Sequence, residues 1–163
     1  MSDPLITRVA CTIDGRRTVL EGHSIARLLD ALRQAGLTGV KEGCGEGECG
    51  ACAILLDGEL VNSCLTPLSH AEGRTIMTVE GIPGDDLLQA IQTSFVECGG
   101  AQCGICTPGM VLAAYELLSR TQDPSEDDVR AALAGNLCRC TGYQRIFAAV
   151  LDAAQKSPRI ARP

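Results

Sequence analysis

The chain has 163 residues, 45% of them hydrophobic but only 2% aromatic and none tryptophan, so its core must be aliphatic. That length suits one medium domain or two small ones. The net charge of −6 argues against nucleic acid, where a basic face is expected. No stretch approaches the ~18 apolar residues of a membrane span.

The N-terminus, Met1-Ser2-Asp3-Pro4, has no basic segment followed by an apolar run, so neither a signal peptide nor a twin-arginine leader is expected. The resulting expectation is a cytoplasmic protein. Ten cysteines in that compartment read as ligands rather than disulfides.

In chain order, the spacing predicts strands over 8–12 and 17–20 around the turn dipeptide Asp14-Gly15. Ser24 is the expected cap of a helix carrying Ile25, Leu28, Leu29 and Leu32, and Gly36 fits its C-terminal stop. A glycine-rich loop from Gly43 to Gly50 follows. A second hairpin is expected over 53–56 and 60–64 around Asp57-Gly58, and another strand over 75–79.

Gly and Pro cluster at 81–84, which marks a boundary between domains at 1–80 and 85–163. Beyond it the pattern is helical. Leu87–Val96 forms one segment. A second starts at Thr107-Pro108, with Thr107 as N-cap and Pro108 at N1. Ser125-x-x-Asp128 reads as a capping box for a third helix ending near Gly135. A fourth covers 143–154, and the tail after Lys156 is expected to fray. No internal repeat is evident.

Two cysteine sets carry the chemistry. Cys44-x4-Cys49-x2-Cys52, completed by Cys64, has the spacing of a plant-type [2Fe–2S] ligand loop. Glycines around the first three cysteines leave room for a loop to wrap an inorganic core. Amides aimed at sulfur in such a loop would raise the potential, whereas Glu42, Glu46 and Glu48 would lower it. The second set pairs Cys103-x2-Cys106 with Cys138-x-Cys140, all at expected helix ends. Arg139 between the last two could offset cluster charge or meet an anion. Taken alone, this set is open to zinc as well as to iron.

Cys11 is expected in the core, and Cys98 is read as a bystander or substitute ligand. His23 and His70 stand in loop contexts suited to surface roles. Gly45-x-Gly47-x-x-Gly50 matches a dinucleotide-binding string but contains Cys49 and lacks a strand–turn–helix context.

The segments Gly43–Cys52, Gln102–Met110 and Gly135–Tyr143 together resemble the iron–sulfur subunit of the xanthine oxidase family of molybdenum hydroxylases. The resemblance spans nearly the whole chain. It implies an α+β fold, with an N-terminal β-grasp plant-type ferredoxin domain followed by a C-terminal four-helix bundle domain.

It implies two [2Fe–2S] clusters: an outer one on Cys44, Cys49, Cys52 and Cys64, and an inner one on Cys103, Cys106, Cys138 and Cys140. Gln102 and Cys140 would lie against the pterin of a partner chain. The implied partners are a large molybdopterin-binding subunit and a medium FAD-binding subunit, as a dimer of heterotrimers. The implied function is electron transfer between the molybdopterin centre and FAD in an oxidoreductase complex, with no substrate site in this chain. The alternatives are a free two-cluster [2Fe–2S] ferredoxin serving several partners and a structural zinc module.

Overall fold

The computed structural model describes residues 6–157. Met1–Pro4 and most of the tail after Lys156 lie outside the described residues. The architecture is α+β: a β-grasp sheet followed by four helices.

Strands β1 (Ile6–Ile13) and β2 (Arg16–His23) form the first hairpin. Both turn residues take positive φ, 47° at Asp14 and 77° at Gly15, which matches the turn to the right-handed twist of its strands. The Asp14 carboxylate accepts from Thr78 N–H and Thr78 Oγ1, each at 2.7 Å, and so pins the turn to the end of β5 (Thr75–Met77). The second hairpin joins β3 (Ala53–Leu56) and β4 (Glu59–Asn62). The sheet order is β2-β1-β5-β3-β4. Among the described residues only the β1–β5 pair is parallel, registering Thr12 with Thr75 and Ile13 with Ile76. Helix α1 (Leu28–Gln34) lies between β2 and β3, within the long connection that joins these two strands.

Alternation sorts the sheet between two cores. Val9, Cys11 and Ile13 of β1 turn inward onto Leu28, Leu29 and Leu32 of α1. On β3, Ile54 and Leu56 join that same core, whereas Leu55 faces the helical core. All four β3 residues are therefore buried, because helices cover the strand on both sides.

The helices are α2 (Asp86–Glu97), α3 (Thr107–Arg120), α4 (Glu126–Ala132) and α5 (Gln144–Lys156). Ile91, Phe95, Met110, Leu112, Val129, Ile146 and Val150 fill their shared core. Asp85 caps α2 by accepting from Leu88 N–H at 2.8 Å, and its second oxygen accepts from Tyr115 Oη of α3 at 2.8 Å. Burial, with that carboxylate, pushes the Tyr115 phenol up to about 12.

Several expected boundaries move. Ser24 does not cap α1; Arg27 does, while the Ser24 carbonyl accepts from Ser69 N–H and Ile25 is 76% exposed. Gly36 stands just past the helix with φ 92°, as expected. A 3₁₀ turn at Leu68–Ala71 was not foreseen. Thr107 is the first helical residue rather than the cap, which is Cys106. The Ser125–Asp128 capping box is present in full, but α4 ends at Ala132 and is capped by Leu133, short of Gly135. Tyr143 is the N-cap of α5 rather than its first residue.

Candidate metal centres

The first cysteine loop begins beside α1. Arg27 grips Asp30 through Nε at 2.9 Å and Nη2 at 2.7 Å, and reaches Glu42 through Nη1 at 2.7 Å. One of the three loop glutamates is thus compensated on the spot; Glu46 and Glu48 are exposed. From the other side, Asn62 at the end of β4 donates to the Gly47 carbonyl at 2.9 Å. Ser63 Oγ donates to the Cys52 carbonyl at 2.7 Å. A Cβ on Gly43 would stand 2.7 Å from Cys49 Sγ, so no larger residue leaves that sulfur its room.

The thiols of this set interact most strongly in twos, although Cys64 also feels Cys44. Cys44 interacts with Cys49, and Cys52 with Cys64. Cys44 is exposed, and the amides of Glu46 and Glu48, with smaller help from Cys49, bring its thiol down to about 7. The Glu46 amide lies 3.3 Å from Cys44 Sγ. Cys64 is buried, and burial followed by its neighbour Cys52 pushes it up to about 11.

The second set is assembled from helix ends. Cys103 precedes α3, Cys106 caps it, and Cys138 and Cys140 lie in the loop between α4 and α5. Cys140 Sγ is 3.5 Å from Cys103 Sγ, both exposed. Cys106, buried, interacts with Cys138. Burial, then Cys138, pushes the Cys106 thiol up to about 12. For Cys138 burial is the largest influence and acts upward. Hydrogen bonds from the Thr141 hydroxyl and from the amides of Thr141 and Cys140 outweigh it together and bring the thiol to about 7.

Among the described residues no three His, Cys, Asp or Glu side chains converge as ligands of one ion do. A dinuclear cluster takes its thiolates as two pairs, one at each iron, and both sets fit that requirement. Gln102 is exposed beside Cys103, and Arg139 is exposed between Cys138 and Cys140.

Neither remaining cysteine joins a set. Cys11 is buried in the β-grasp core. Cys98 caps the C-terminus of α2 and packs against the helical core. His23 Nδ1 accepts from Ile25 N–H at 3.3 Å within its own turn.

The sequence reading missed how the two sets touch. Leu137 N–H donates to the Cys49 carbonyl at 3.0 Å. The buried Asn136 side chain donates to the Gly50 carbonyl at 3.1 Å. Gly109 on α3 closes the contact: a Cβ there would stand 2.1 Å from the Gly50 oxygen. Asn136 is separated from Gly50 by 86 positions, and no local pattern marks the pairing.

Comparison with known proteins places this arrangement. A family model described as a 2Fe-2S iron-sulfur cluster binding domain matches residues 11–75, and one described as a [2Fe-2S] binding domain matches 78–151. The nicotinate dehydrogenase small FeS subunit of Eubacterium barkeri is 49% identical over 131 residues, covering 80% of this chain and 83% of that one. The xanthine dehydrogenase iron-sulfur-binding subunit of Escherichia coli O157:H7 is 42% identical over 146 residues, covering 88% and 92%. A chain of quinoline 2-oxidoreductase from Pseudomonas putida 86 superposes with a TM-score of 0.87 at 44% identity, covering 93% of this chain and 95% of that one. Two iron–sulfur domains in this order, shared almost end to end with small subunits of oxidoreductases, decide the matter. The chain belongs to the iron–sulfur (small) subunits of the xanthine oxidase family of molybdenum hydroxylases and has an electron-transfer role in an oxidoreductase.

Proposed function

We propose that Cys44, Cys49, Cys52 and Cys64 hold an outer [2Fe–2S] cluster and Cys103, Cys106, Cys138 and Cys140 an inner one. The observation that carries this reading is the Cys140 Sγ–Cys103 Sγ approach of 3.5 Å across 37 positions, beside the paired interactions of the other thiols. When bound, the two clusters supply one-electron steps. The chain's own residues determine where those steps lead. Cys49 and Cys138 lie on the side where the two loops touch, through Leu137 and the Cys49 carbonyl. Cys44 and the Cys103–Cys140 pair stand on exposed edges. Electrons would enter at one exposed edge, cross between the loops, and leave at the other.

Those edges suit the partners that the family implies. A large molybdopterin subunit would cover Cys140 and Gln102, both turned to solvent here, with its pterin against them. A medium FAD subunit would cover the Cys44 edge. The heterotrimer would be doubled, and the chain would carry no substrate site. The division at 81–84 would separate a domain at 1–80 from one at 85–163. A cytoplasmic location suits thiols kept reduced as ligands. Among the described residues no helix is long and apolar enough to cross a membrane.

The test is a tagged pull-down from the native cell, with subunits identified by mass and Mo, Fe and Zn quantified. Two larger chains, molybdenum and about four irons per small chain are expected. A lone brown chain without molybdenum would favour the free carrier, and a colourless zinc protein would overturn the reading. Gln102→Ala should keep both clusters yet weaken molybdenum retention or turnover; unchanged values for both would remove Gln102 from the pterin contact.

A further inference from the structure

Between Cys138 and the start of α5 the loop closes a small ring of hydrogen bonds. Thr141 Oγ1 lies 3.1 Å from Cys138 Sγ. The same oxygen accepts from Tyr143 N–H at 3.1 Å. The Tyr143 phenol oxygen in turn accepts from Cys138 N–H at 2.8 Å.

With Cys138 as a ligand, the direction of the O···S bond follows. A ligating thiolate has no proton to give, so the hydrogen between the two atoms is the hydroxyl's. The Tyr143 amide occupies a lone pair of the hydroxyl oxygen and leaves its proton free to point at sulfur.

The ring is held at a conformational cost. Tyr143 has φ 69°, a left-handed conformation that is an outlier for so bulky a side chain. Its ring stacks on Phe147, with centroids 6.0 Å apart, and Arg130 lies 4.7 Å over the Phe147 ring. Such strain persists only where its surroundings over-determine it, and it clusters at functional sites.

We propose that Thr141 tunes the inner cluster by donating its hydroxyl hydrogen bond to Cys138 Sγ, with Tyr143 as the positioning residue that aims it. This rests on the assignment of Cys138 as a ligand. Reduction adds one electron to the cluster and hence one negative charge, part of it on sulfur; no proton is transferred and no covalent bond to Thr141 changes. A donor to sulfur stabilises the more negative state and raises the potential.

The experiment is a redox titration of the complete enzyme followed by electron paramagnetic resonance, comparing wild type, Thr141→Val and Thr141→Ser. In Thr141→Val the reduced-to-oxidised ratio of the inner cluster at fixed ambient potential should fall about tenfold. For one electron that is a shift of about 59 mV. The outer cluster, titrated in the same tube, should not move, and Thr141→Ser should restore the wild-type ratio. An unmoved inner cluster in Thr141→Val would overturn the proposal, as would a Ser variant displaced as far as the Val variant.

A second measurement does not depend on Thr141→Val assembling. The reduced inner cluster of wild type should couple to a proton that exchanges rapidly in D2O, as a hydroxyl does, and Thr141→Ser should keep that coupling. Absence of any such proton from wild type would overturn the proposal. Failure of the ligand assignment itself looks different: Cys138→Ser would then leave the inner-cluster signal unchanged.

Discussion

The amide of Leu137 donates to the carbonyl of Cys49 at 3.0 Å. Each residue belongs to a different cysteine loop, and Leu137 immediately precedes Cys138. A through-bond connection between Cys49 Sγ and Cys138 Sγ therefore runs along backbone already in place and crosses a single hydrogen bond. Asn136 to the Gly50 carbonyl runs alongside at 3.1 Å. If the two thiol sets hold the proposed clusters, electrons would cross where the two halves are joined, and the contact that stabilises their packing would also set the cluster spacing.

Gly109 is the tightest point of that junction. Its added Cβ would lie 2.1 Å from the Gly50 carbonyl oxygen and 2.7 Å from Asn136 Nδ2. Gly109→Ala should force the loop away from α3 and destabilise the protein by about 1–3 kcal/mol, as overpacking does. Both clusters should still bind, with weaker magnetic interaction between them in the doubly reduced state. Unchanged stability and coupling would show that the junction yields freely.

Arg27 should matter to one cluster alone. Its guanidinium bridges Asp30 and Glu42 at the entrance of the first cysteine loop. Arg27→Gln leaves the Glu42 charge uncompensated, which should lower the potential of the outer cluster and leave the inner one in place. The shift should shrink at high salt, since the pair is half exposed. Equal shifts at both clusters in a redox titration would contradict this.

Such long-range relations are what the sequence withheld. Asp14-Gly15 and Asp57-Gly58 announce their hairpins because both residues of each turn take positive φ, and Asp and Gly tolerate it. The Ser125–Asp128 capping box is a local pattern with a local cause. Ser24 misled because a chain contact decided otherwise: its carbonyl pairs with Ser69, and the helix starts only at Leu28. Thr107 misled because Pro108 marks the first turn whichever residue precedes it. The eight ligand candidates were legible in their spacing. The partners that orient them, Arg27, Asn136 and Thr141, carried no spacing signal, because each acts through a contact set by tertiary packing.

The capping box of α4 makes a pH-dependent prediction. Asp128 accepts from the Ser125 hydroxyl and amide, in that order of importance, which holds its carboxyl below the usual range. A group whose folded pKa is depressed stabilises the fold above its ordinary pKa and loses that contribution as pH falls through the lowered value. Ser125→Ala should therefore lower the thermal midpoint by several degrees at pH 7. The difference from wild type should narrow as the pH falls below the ordinary aspartate range. A gap that does not change with pH in thermal melts would contradict the linkage.

The most direct test of the central claim is electron paramagnetic resonance, with iron and sulfide analysis, on the reduced protein and on Cys49→Ser and Cys106→Ser. Wild type should show two distinct signals and about four irons per chain. Cys49→Ser should remove or alter one signal and Cys106→Ser the other, each leaving its counterpart in place. A single signal in wild type, or the loss of both from either substitution, would contradict two independent clusters held by these two sets of thiols.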